Sequence, residues 1–473
     1  MERIKFGTDG WRQIIADEFT FENVRIVAQA VADYIQDNPK EQTGVVIGYD
    51  NRFMSERFAS EVGEVLAGNS IPVFFPDRAV PTPAAAYAIK QNNARGAVML
   101  TASHNPPEYH GVKFIPEFAG PALPEETVQI ETNANRLVQS GEIKSIPRQD
   151  AVQLGLWREI DPFPAYCNQV EKLVFGDKIR SARLKVIVDP LFGAGIGYLD
   201  RILESMGCTV ETIHNYRDPL FGGSMPDPSE GNLIELRERV LENGAHLGLA
   251  LDGDADRFGV IDGSGRYFTP NEILFLLLAH MLKTRRCDGP VARTCATTHM
   301  LDRIAAYYGL EVSETPVGFK YIGQCFLNEG SIIGGEESGG MSIRGHVPEK
   351  DGILGAVLVA EMAAVEGKSL EQVQGELQTQ FGRLVSRRTD VHVSPAEKGK
   401  VMERLKGYSP QRLGGQPVSE RITIDGTKLV NADGNWVLIR PSGTEPVFRV
   451  YVEANGEKQL GQILGQVREE LNM

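Results

Sequence analysis

The chain of 473 residues has few cysteines, no excess of positive charge and no long hydrophobic run. Its five cysteines are scattered and form no Cys-x-x-Cys pair, which fits free thiols in a reducing compartment. The net charge of −14 argues against nucleic acid or an anionic membrane surface as a partner. The longest apolar run, 273–279, is far below the roughly 20 residues of a membrane-spanning helix, and residues 1–11 contain no signal-like segment. We therefore expect a cytoplasmic protein.

Length and a repeated pattern predict several domains. A strand, a turn, a helix, a glycine break and a second strand follow one another three times, in residues 44–83, 184–228 and 291–316. We expect left-handed helix C-caps at the glycine breaks, which are Gly68-Asn69, Gly207 and Gly309. Alternating strands and helices with short connections predict sheets sandwiched between helices. Residues 1 to about 375 are thus interpreted as three diverged copies of one α/β unit.

The last hundred or so residues have a different pattern, typical of a small antiparallel sheet with helices on it. Asp433-Gly434 is a hairpin signal, and the returning strand is expected from Trp436 to Arg440. These patterns predict four domains, at residues 1–150, 151–262, 263–378 and 379–473.

The first loop with candidate functional side chains follows an apolar strand and reads Thr-Ala-Ser-His-Asn-Pro-Pro, 101–107. Ser103 beside His104 invites a serine-hydrolase interpretation, but the nucleophile elbow of those enzymes needs Gly-x-Ser-x-Gly. We also expect an adjacent histidine to reach its neighbour's hydroxyl poorly. The alternative is a plain polar turn. Lys113, ten residues further on, favours an anion site at this loop.

A second loop, ALDGDADRFGVID at 250–262, places Asp252, Asp254 and Asp256 at alternate positions after an apolar strand. Three carboxylates converging from a tight turn suit a hard cation such as Mg²⁺ and would repel one another without it. An EF-hand does not fit, because Arg257 and Gly263 stand where that loop needs Gly and Glu. Arg257 would add positive charge for a phosphoryl group.

A third loop reads GGEESGG at 334–340. Glu336 and Ser338 are two residues apart, so in an extended segment both would point to one side and could hydrogen-bond sugar hydroxyls. An ordinary acidic glycine turn is the alternative. Lys320, which follows Gly318-Phe319, is either a surface lysine or a phosphate contact.

A fourth loop, RPSGTEP at 440–446, combines a guanidinium with hydroxyls and backbone N–H groups. Arg440, Ser442, Gly443 and Thr444 would form a phosphate cradle, with Arg449 on the next strand as a further contact. The alternative is a turn that joins two strands.

In this order the four loops resemble those of the α-D-phosphohexomutases, the family of phosphoglucomutase and phosphomannomutase. The resemblance covers essentially the whole chain, with a phosphoserine loop, a metal loop, a sugar loop and a phosphate loop at 101–106, 252–257, 335–339 and 440–444. It implies three similar mixed α/β sandwich domains and a smaller C-terminal α+β domain around a central cleft.

The resemblance also implies a mechanism. Ser103 would carry a phosphoryl group, one of whose oxygens completes the shell of a Mg²⁺ ion held by the three aspartates. The sugar phosphate would bind the phosphate and sugar loops, and glucose 1-phosphate and glucose 6-phosphate would interconvert through glucose 1,6-bisphosphate. Arg12, His104 and Lys113 are candidates for proton handling and charge neutralisation. Lys113 would act as a base only if neighbouring cations lowered its pKa.

Several alternatives remain open at this point. A phosphomannomutase or dual-specificity enzyme would use the same motifs, although Phe319 favours glucose over mannose. A glucose 1,6-bisphosphate synthase would also use them and release the intermediate. A phosphatase would make the sugar and phosphate loops superfluous, and a sugar-phosphate-binding regulator would not need Ser103 or the aspartates. The protein is expected as a monomer or homodimer that binds small sugar phosphates.

Overall fold

The computed structural model describes residues 4–7, 10–441 and 447–472, without the side chains of 395–396. It contains four sheets that follow one another along the chain. Three are mixed sheets and the last is antiparallel, so the predicted fold class is confirmed. None of the described helices is long and apolar enough to cross a membrane.

The first sheet has six strands in the order β1-β5-β4-β2-β3-β6. It extends to Ile160, beyond the predicted boundary at residue 150. Its elements are β1 (Trp11–Ile14), α1 (Phe21–Asp37), β2 (Val45–Tyr49), α2 (Ser55–Gly68), β3 (Val73–Pro76), α3 (Thr82–Gln91), β4 (Gly96–Leu100), β5 (Tyr109–Pro116), α4 (Pro124–Ser140), α5 (Arg148–Gln153) and β6 (Trp157–Ile160).

The second sheet has five strands in the order β11-β10-β9-β7-β8. Its last strand follows residue 262, where the sequence placed a boundary. Its elements are α6 (Phe163–Leu173), α7 (Gly176–Ala182), β7 (Lys185–Asp189), α8 (Leu199–Ser205), β8 (Thr209–Thr212), α9 (Ile234–Asn243), β9 (Leu247–Leu251), β10 (Phe258–Asp262) and β11 (Tyr267–Phe268).

The third sheet has four strands in the order β13-β12-β14-β15. Helix α13 in this unit is apolar along nearly its whole length and is buried there, because it packs between neighbouring units rather than on a surface. The elements are α10 (Pro270–Thr284), β12 (Val291–Thr294), α11 (Met300–Tyr307), β13 (Val312–Thr315), α12 (Phe319–Asn328), β14 (Ile333–Gly335), β15 (Met341–Ile343), α13 (Gly352–Glu366) and α14 (Leu370–Phe381).

The three units share one topology. In each, the first strand of the motif pairs in parallel with the second and the third, and the third pairs antiparallel with the fourth. The motif strands are β2 to β5, β7 to β10 and β12 to β15, and each set lies in the order fourth, third, first, second. The repeat predicted from the sequence is therefore present. The loops at 101–108, 252–257 and 336–340 all occupy the same place, the hairpin between the third and fourth strands.

The predicted helix caps hold for two of the three copies. Gly207 and Gly309 have φ values of 83° and 70°, in the left-handed region. The prediction for the first copy is wrong, since Gly68 is the last residue of α2 and Ser70 adopts the left-handed conformation, with φ 61°. A Cβ on Gly68 would lie 2.6 Å from the Cα of Ser145, so this glycine permits a close approach instead.

The fourth sheet is antiparallel, in the order β16-β21-β20-β19-β18-β17. The predicted hairpin at Asp433-Gly434 is confirmed, and Gly434 has φ 77°. The elements are β16 (Val385–His392), α15 (Pro395–Lys406), β17 (Arg412–Leu413), β18 (Gln416–Ile422), β19 (Thr427–Asn431), β20 (Trp436–Pro441), β21 (Val447–Ala454) and α16 (Glu457–Leu471).

The hydrophobic clusters show which domains share a core. One cluster runs through all three α/β units, with Val46, Val186 and Val357 among its members. The fourth domain has a core of its own and meets the third through a small cluster that includes Cys295 and Trp436. The first three units thus share one core, in addition to clusters confined to the first and the second unit, and the fourth domain has a core of its own.

Candidate active site

Ser103 lies in the hairpin after β4 and is buried. Its φ of 51° is uncommon for a residue with a side chain. The backbone N–H of Ser103 donates to Thr101 Oγ1 at 2.8 Å, and its hydroxyl donates to Asp252 Oδ2 at 2.8 Å. The serine and the first aspartate of the metal loop are therefore direct partners, although 149 residues separate them.

His104 corrects one expectation from the sequence. Its Nδ1 lies 3.3 Å from Ser103 Oγ, so an adjacent histidine does reach the hydroxyl here, because the left-handed backbone at Ser103 turns the two side chains towards each other. The positive charge of Arg257, together with burial and Arg12, lowers the pKa of His104 to about 2. The imidazole is accordingly neutral at physiological pH. Arg12 reaches the same loop, where its Nη1 donates to Asn105 Oδ1 at 2.8 Å.

Arg52 fixes the backbone of this loop and was missed by the sequence reasoning. The fully buried guanidinium donates from Nη2 to the carbonyls of Ser103 and Asn105, at 2.6 and 2.7 Å, and from Nη1 to that of Pro106 at 2.8 Å. Its Nε donates to Asp50 Oδ2 at 3.2 Å. Only the Asp50-Asn51 turn marked this position in the sequence, since the carbonyl partners are about fifty residues away.

The three aspartates form a fully buried cluster in which carboxylate oxygens approach to within 4.8 Å of one another. Among the described residues, Asp254 Oδ1 and Asp256 Oδ1 have no hydrogen-bond partner. Buried acceptors without a donor are unfavourable, and burial, followed by the charges of its two neighbours, raises the pKa of Asp252 well above its ordinary value. Converging free carboxylate oxygens fit the hard, oxygen-preferring Mg²⁺ ion.

Two buried lysines balance this acidic cluster. Lys113 Nζ lies 2.8 Å from Asp254 Oδ2 and 3.2 Å from Asp256 Oδ2. Lys350, missed by the sequence reasoning, lies 3.1 Å from Asp256 Oδ2 and precedes α13 in the segment Glu-Lys-Asp-Gly. Burial lowers the pKa of Lys113, but the two carboxylates raise it above its ordinary value. These two ion pairs favour the charged form of Lys113, as a counter-ion of the acidic cluster.

The metal loop is held against the first unit by the start of α3 and by a close approach to Ser103. Thr82 donates twice to Asp254, from its N–H to the carbonyl at 2.9 Å and from Oγ1 to Oδ2 at 2.7 Å. A Cβ on Gly253 would lie only 2.5 Å from the carbonyl oxygen of Ser103. The metal loop thus needs a glycine where it meets the serine loop, and the two hairpins touch without an intervening side chain.

The sugar loop differs from the expected extended segment. Residues 336–340 form a turn between β14 and β15, in which the Gly339 N–H donates to the Glu336 carbonyl at 3.1 Å. The expectation that Glu336 and Ser338 share one side of an extended chain is therefore wrong, because the hairpin is too tight. Glu336 is buried and its Oε1 accepts from the Gly318 N–H at 3.0 Å, whereas Ser338 is half-buried.

This turn also contacts the metal loop. Arg257 and Gly340 form an isolated antiparallel bridge between the second and third units. Lys320 lies half-buried on the first turn of α12, with its Nζ 5.4 Å from the centre of the Tyr321 ring.

At the phosphate loop, Ser442, Gly443 and Thr444 lie outside the described residues. Arg440 and Arg449 stand directly opposite each other on β20 and β21. The Nη2 of Arg440 donates to Asp425 Oδ2 at 2.8 Å. Two candidate phosphate ligands are therefore neighbours on one sheet.

Comparison with known proteins agrees with this arrangement. Models of phosphoglucomutase/phosphomannomutase α/β/α domains I, II and III match residues 3–140, 164–265 and 269–381, and the C-terminal domain model matches 383–470. The chain belongs to the α-D-phosphohexomutase family. It is 33% identical over 464 residues to a phosphoglucomutase/phosphomannomutase of Thermococcus kodakarensis, covering 97% of this chain and 96% of the relative. It is 28% identical to a phosphoglucosamine/phosphogalactosamine mutase of Sulfurisphaera tokodaii, covering 98% of both chains.

Solved structures support the same assignment. A crystal structure from Thermus thermophilus has a TM-score of 0.85, with 32% identity and full coverage of both chains. A phosphoglucomutase structure from Paramecium shares the fold, with a TM-score of 0.85 and 24% identity over 99% of this chain and 94% of that one. The protein is thus a phosphohexomutase, an intramolecular phosphotransferase of a magnesium-dependent family, and it carries an acidic triad suited to that ion.

Proposed function

We propose that this phosphohexomutase interconverts glucose 1-phosphate and glucose 6-phosphate, with Ser103 as the phosphoserine and glucose 1,6-bisphosphate as the intermediate. The observation that carries the proposal is the hydrogen bond from Ser103 Oγ to Asp252 Oδ2 at 2.8 Å, beside two carboxylate oxygens that accept no hydrogen bond from the described residues. A hydroxyl held against a buried acidic cluster suits a nucleophile that works next to a cation.

In the proposed cycle, the phosphoryl group leaves Ser103 Oγ for the free 6-hydroxyl of glucose 1-phosphate, and in exchange a proton passes from that hydroxyl to Ser103 Oγ. The bisphosphate then turns end for end, and its 1-phosphoryl group returns to Ser103. In the unphosphorylated state, the contact with Asp252 orients the Ser103 hydroxyl for this return. Lys113, Arg12 and Arg257 act as fixed cations around the transferring group, and Arg52 holds the loop carbonyls so that they point away from it.

The metal is assigned to the acidic triad. Mg²⁺ bound by Asp252, Asp254 and Asp256 would supply positive charge that stabilises the transferring phosphoryl group. An oxygen of the phosphoryl group on Ser103 would serve as a further ligand of the ion. The buried lysines Lys113 and Lys350 limit the net negative charge of the site, so that it can hold both a dication and a phosphoryl group.

The other end of the substrate is assigned to the remaining loops. Arg440 and Arg449 bind its phosphate, together with the cradle of Ser442, Gly443 and Thr444 predicted from the sequence. The sugar hydroxyls bind Glu336 and Ser338, and Lys320 at the start of α12 lies on the same side of the third unit as a further phosphate contact. A bisphosphate has a phosphate at each end, so each end can use this site in turn.

The choice of glucose rests on Phe319 and is the most easily tested part of the proposal. We would follow phosphorus NMR of purified enzyme with Mg²⁺, glucose 1-phosphate and a trace of glucose 1,6-bisphosphate. Conversion to glucose 6-phosphate with a constant bisphosphate pool supports the proposal. Growth of the bisphosphate pool at the expense of a phosphate donor identifies a synthase, and inorganic phosphate identifies hydrolysis. Faster conversion of mannose 1-phosphate or glucosamine 1-phosphate would reassign the sugar.

A further inference from the structure

A chain of hydrogen bonds connects the phosphate loop with the sugar loop across the boundary between the third and fourth domains. Asp425 Oδ2 accepts from Arg440 Nη2 at 2.8 Å and also from the backbone N–H of Val317 at 3.0 Å. The next backbone N–H, that of Gly318, donates to Glu336 Oε1 at 3.0 Å. The backbone N–H groups that bind Asp425 and Glu336 therefore belong to adjacent residues, Val317 and Gly318.

Backbone geometry makes this connection stiff. Gly318 has φ 131°, a conformation that side chains rarely allow, and α12 begins at the next residue. Asp425 lies in the turn between β18 and β19. Strand β19 pairs with β20, which carries Arg440. Arg440 stands on β20 and Gly318 directly precedes α12, whereas Asp425 and Glu336 lie in turns next to strands, so Asp425 is the side chain that couples the two loops.

The hydrogen bond to Asp425 also orients the arginine. A guanidinium has five N–H donors in a fixed plane, and Asp425 engages one nitrogen at one edge. Among the described residues, Nε of Arg440 has no partner. Asp425 thus holds one edge of the guanidinium, and the described residues leave the buried Nε without a hydrogen bond.

We infer that Asp425 is a positioning residue that keeps the phosphate-binding Arg440 and the sugar-binding Glu336 at a fixed separation. The inference rests on the proposed function, because it assumes that these two residues bind opposite parts of one sugar phosphate. A fixed separation matters most for the bisphosphate, which must release its contacts, turn and rebind without leaving the enzyme. Loss of Asp425 would let Arg440 and Glu336 move apart during that step, so that the intermediate dissociates from the enzyme more often.

The test measures this escape directly. Enzyme labelled with ³²P on Ser103 is mixed with Mg²⁺, glucose 1-phosphate and a large excess of unlabelled glucose 1,6-bisphosphate, which prevents rebinding of released label. Labelled glucose 6-phosphate reports completed turnovers, and labelled free bisphosphate reports escape. The variants are Asp425→Ala, which removes both contacts, and Asp425→Asn, which keeps an acceptor for the Val317 N–H. Glu420→Gln, on an exposed position of β18, removes a charge of the same sign as a control.

We expect Asp425→Ala to raise the ratio of escape to completion about tenfold, Asp425→Asn to raise it less, and Glu420→Gln to leave it unchanged. An unchanged ratio in Asp425→Ala would overturn the inference, and so would a slower reaction with the same ratio, since that is what a merely structural residue gives. Absence of label transfer in the wild type would instead refute glucose 1-phosphate as substrate. The ratio is then measured with whichever hexose 1-phosphate the wild type converts.

Discussion

The contact between the first and second domains differs from that between the third and fourth. At the first contact, the serine and metal loops meet through the hydrogen bond from Ser103 to Asp252 and the close approach at Gly253, and their charged groups are almost fully buried. At the second, the contacts that reach the phosphate-binding arginine are made through the half-buried carboxylate of Asp425. The surroundings of Ser103 are thus buried and closely packed, whereas the link to Arg440 runs through one partly exposed side chain.

The largest effect is expected at the rigid contact itself. Ser103→Ala removes the atom that accepts the phosphoryl group, so turnover and incorporation of ³²P from labelled glucose 1,6-bisphosphate should both fall below detection. The thermal unfolding midpoint should stay near that of the wild type, because the residue lies in a hairpin. Ser140→Ala, at the exposed end of α4, is the control. Normal turnover by Ser103→Ala would refute the phosphoserine assignment.

Gly253→Ala tests whether the close approach of the two loops is needed. The added Cβ would meet the Ser103 carbonyl oxygen at 2.5 Å, so the loops must separate. We expect kcat to fall on the order of 100-fold, since catalytic geometry is sensitive to shifts of about 1 Å. Gly231→Ala is a matched control, because its Cβ would point into open space. Equal kcat values for the two variants would show that the contact is not rigid.

Arg440→Lys probes the more adaptable end of the site. Lysine keeps the charge but loses the planar fork that can bind Asp425 and a phosphate together. Because recognition rather than chemistry is affected, KM should rise about tenfold while kcat changes by less than about threefold. Arg421→Lys, exposed on β18, serves as the control. A fall in kcat with KM unchanged would mean that the two ends of the site are equally rigid.

The smallest effect is expected for the ion pair between His214 and Asp189 in the second domain. His214 Nδ1 lies 3.0 Å from Asp189 Oδ1, and its ring centre lies 4.5 Å from that of Phe192 at an interplanar angle of 35°. The hydrogen bond to Asp189 raises the pKa of His214 above its ordinary value of 6.5. Its stabilisation is therefore complete below the pKa of the unfolded chain and is lost as pH rises through the folded pKa.

For the same reason, His214→Asn should lower the free energy of unfolding by up to about 1 kcal/mol near pH 5.5 and by less near pH 9. Chemical denaturation of both proteins at the two pH values measures the difference. An equal loss of stability at both would rule out the ion pair as its source.

Which features can be predicted from the sequence depends on the distance along the chain between the residues that interact. The strand–helix–strand units, the hairpin at Asp433-Gly434 and the three aspartates could be predicted, since each is encoded by neighbouring residues. Arg52 and Lys350 could not, because each acts on partners that only the tertiary fold brings close. The contact between His104 and Ser103 was misjudged because a left-handed backbone at Ser103 cannot be read from an ordinary serine.

The shared topology of the first three domains has a consequence for the origin of the enzyme. The same hairpin carries Ser103 in the first copy, Asp252, Asp254 and Asp256 in the second, and Glu336 and Ser338 in the third. An ancestral single unit with one polar hairpin, duplicated twice, would bring three equivalent loops to one place before any of them had a specialised task. Divergence of the fused copies would then account for the different polar residues that the three equivalent hairpins carry.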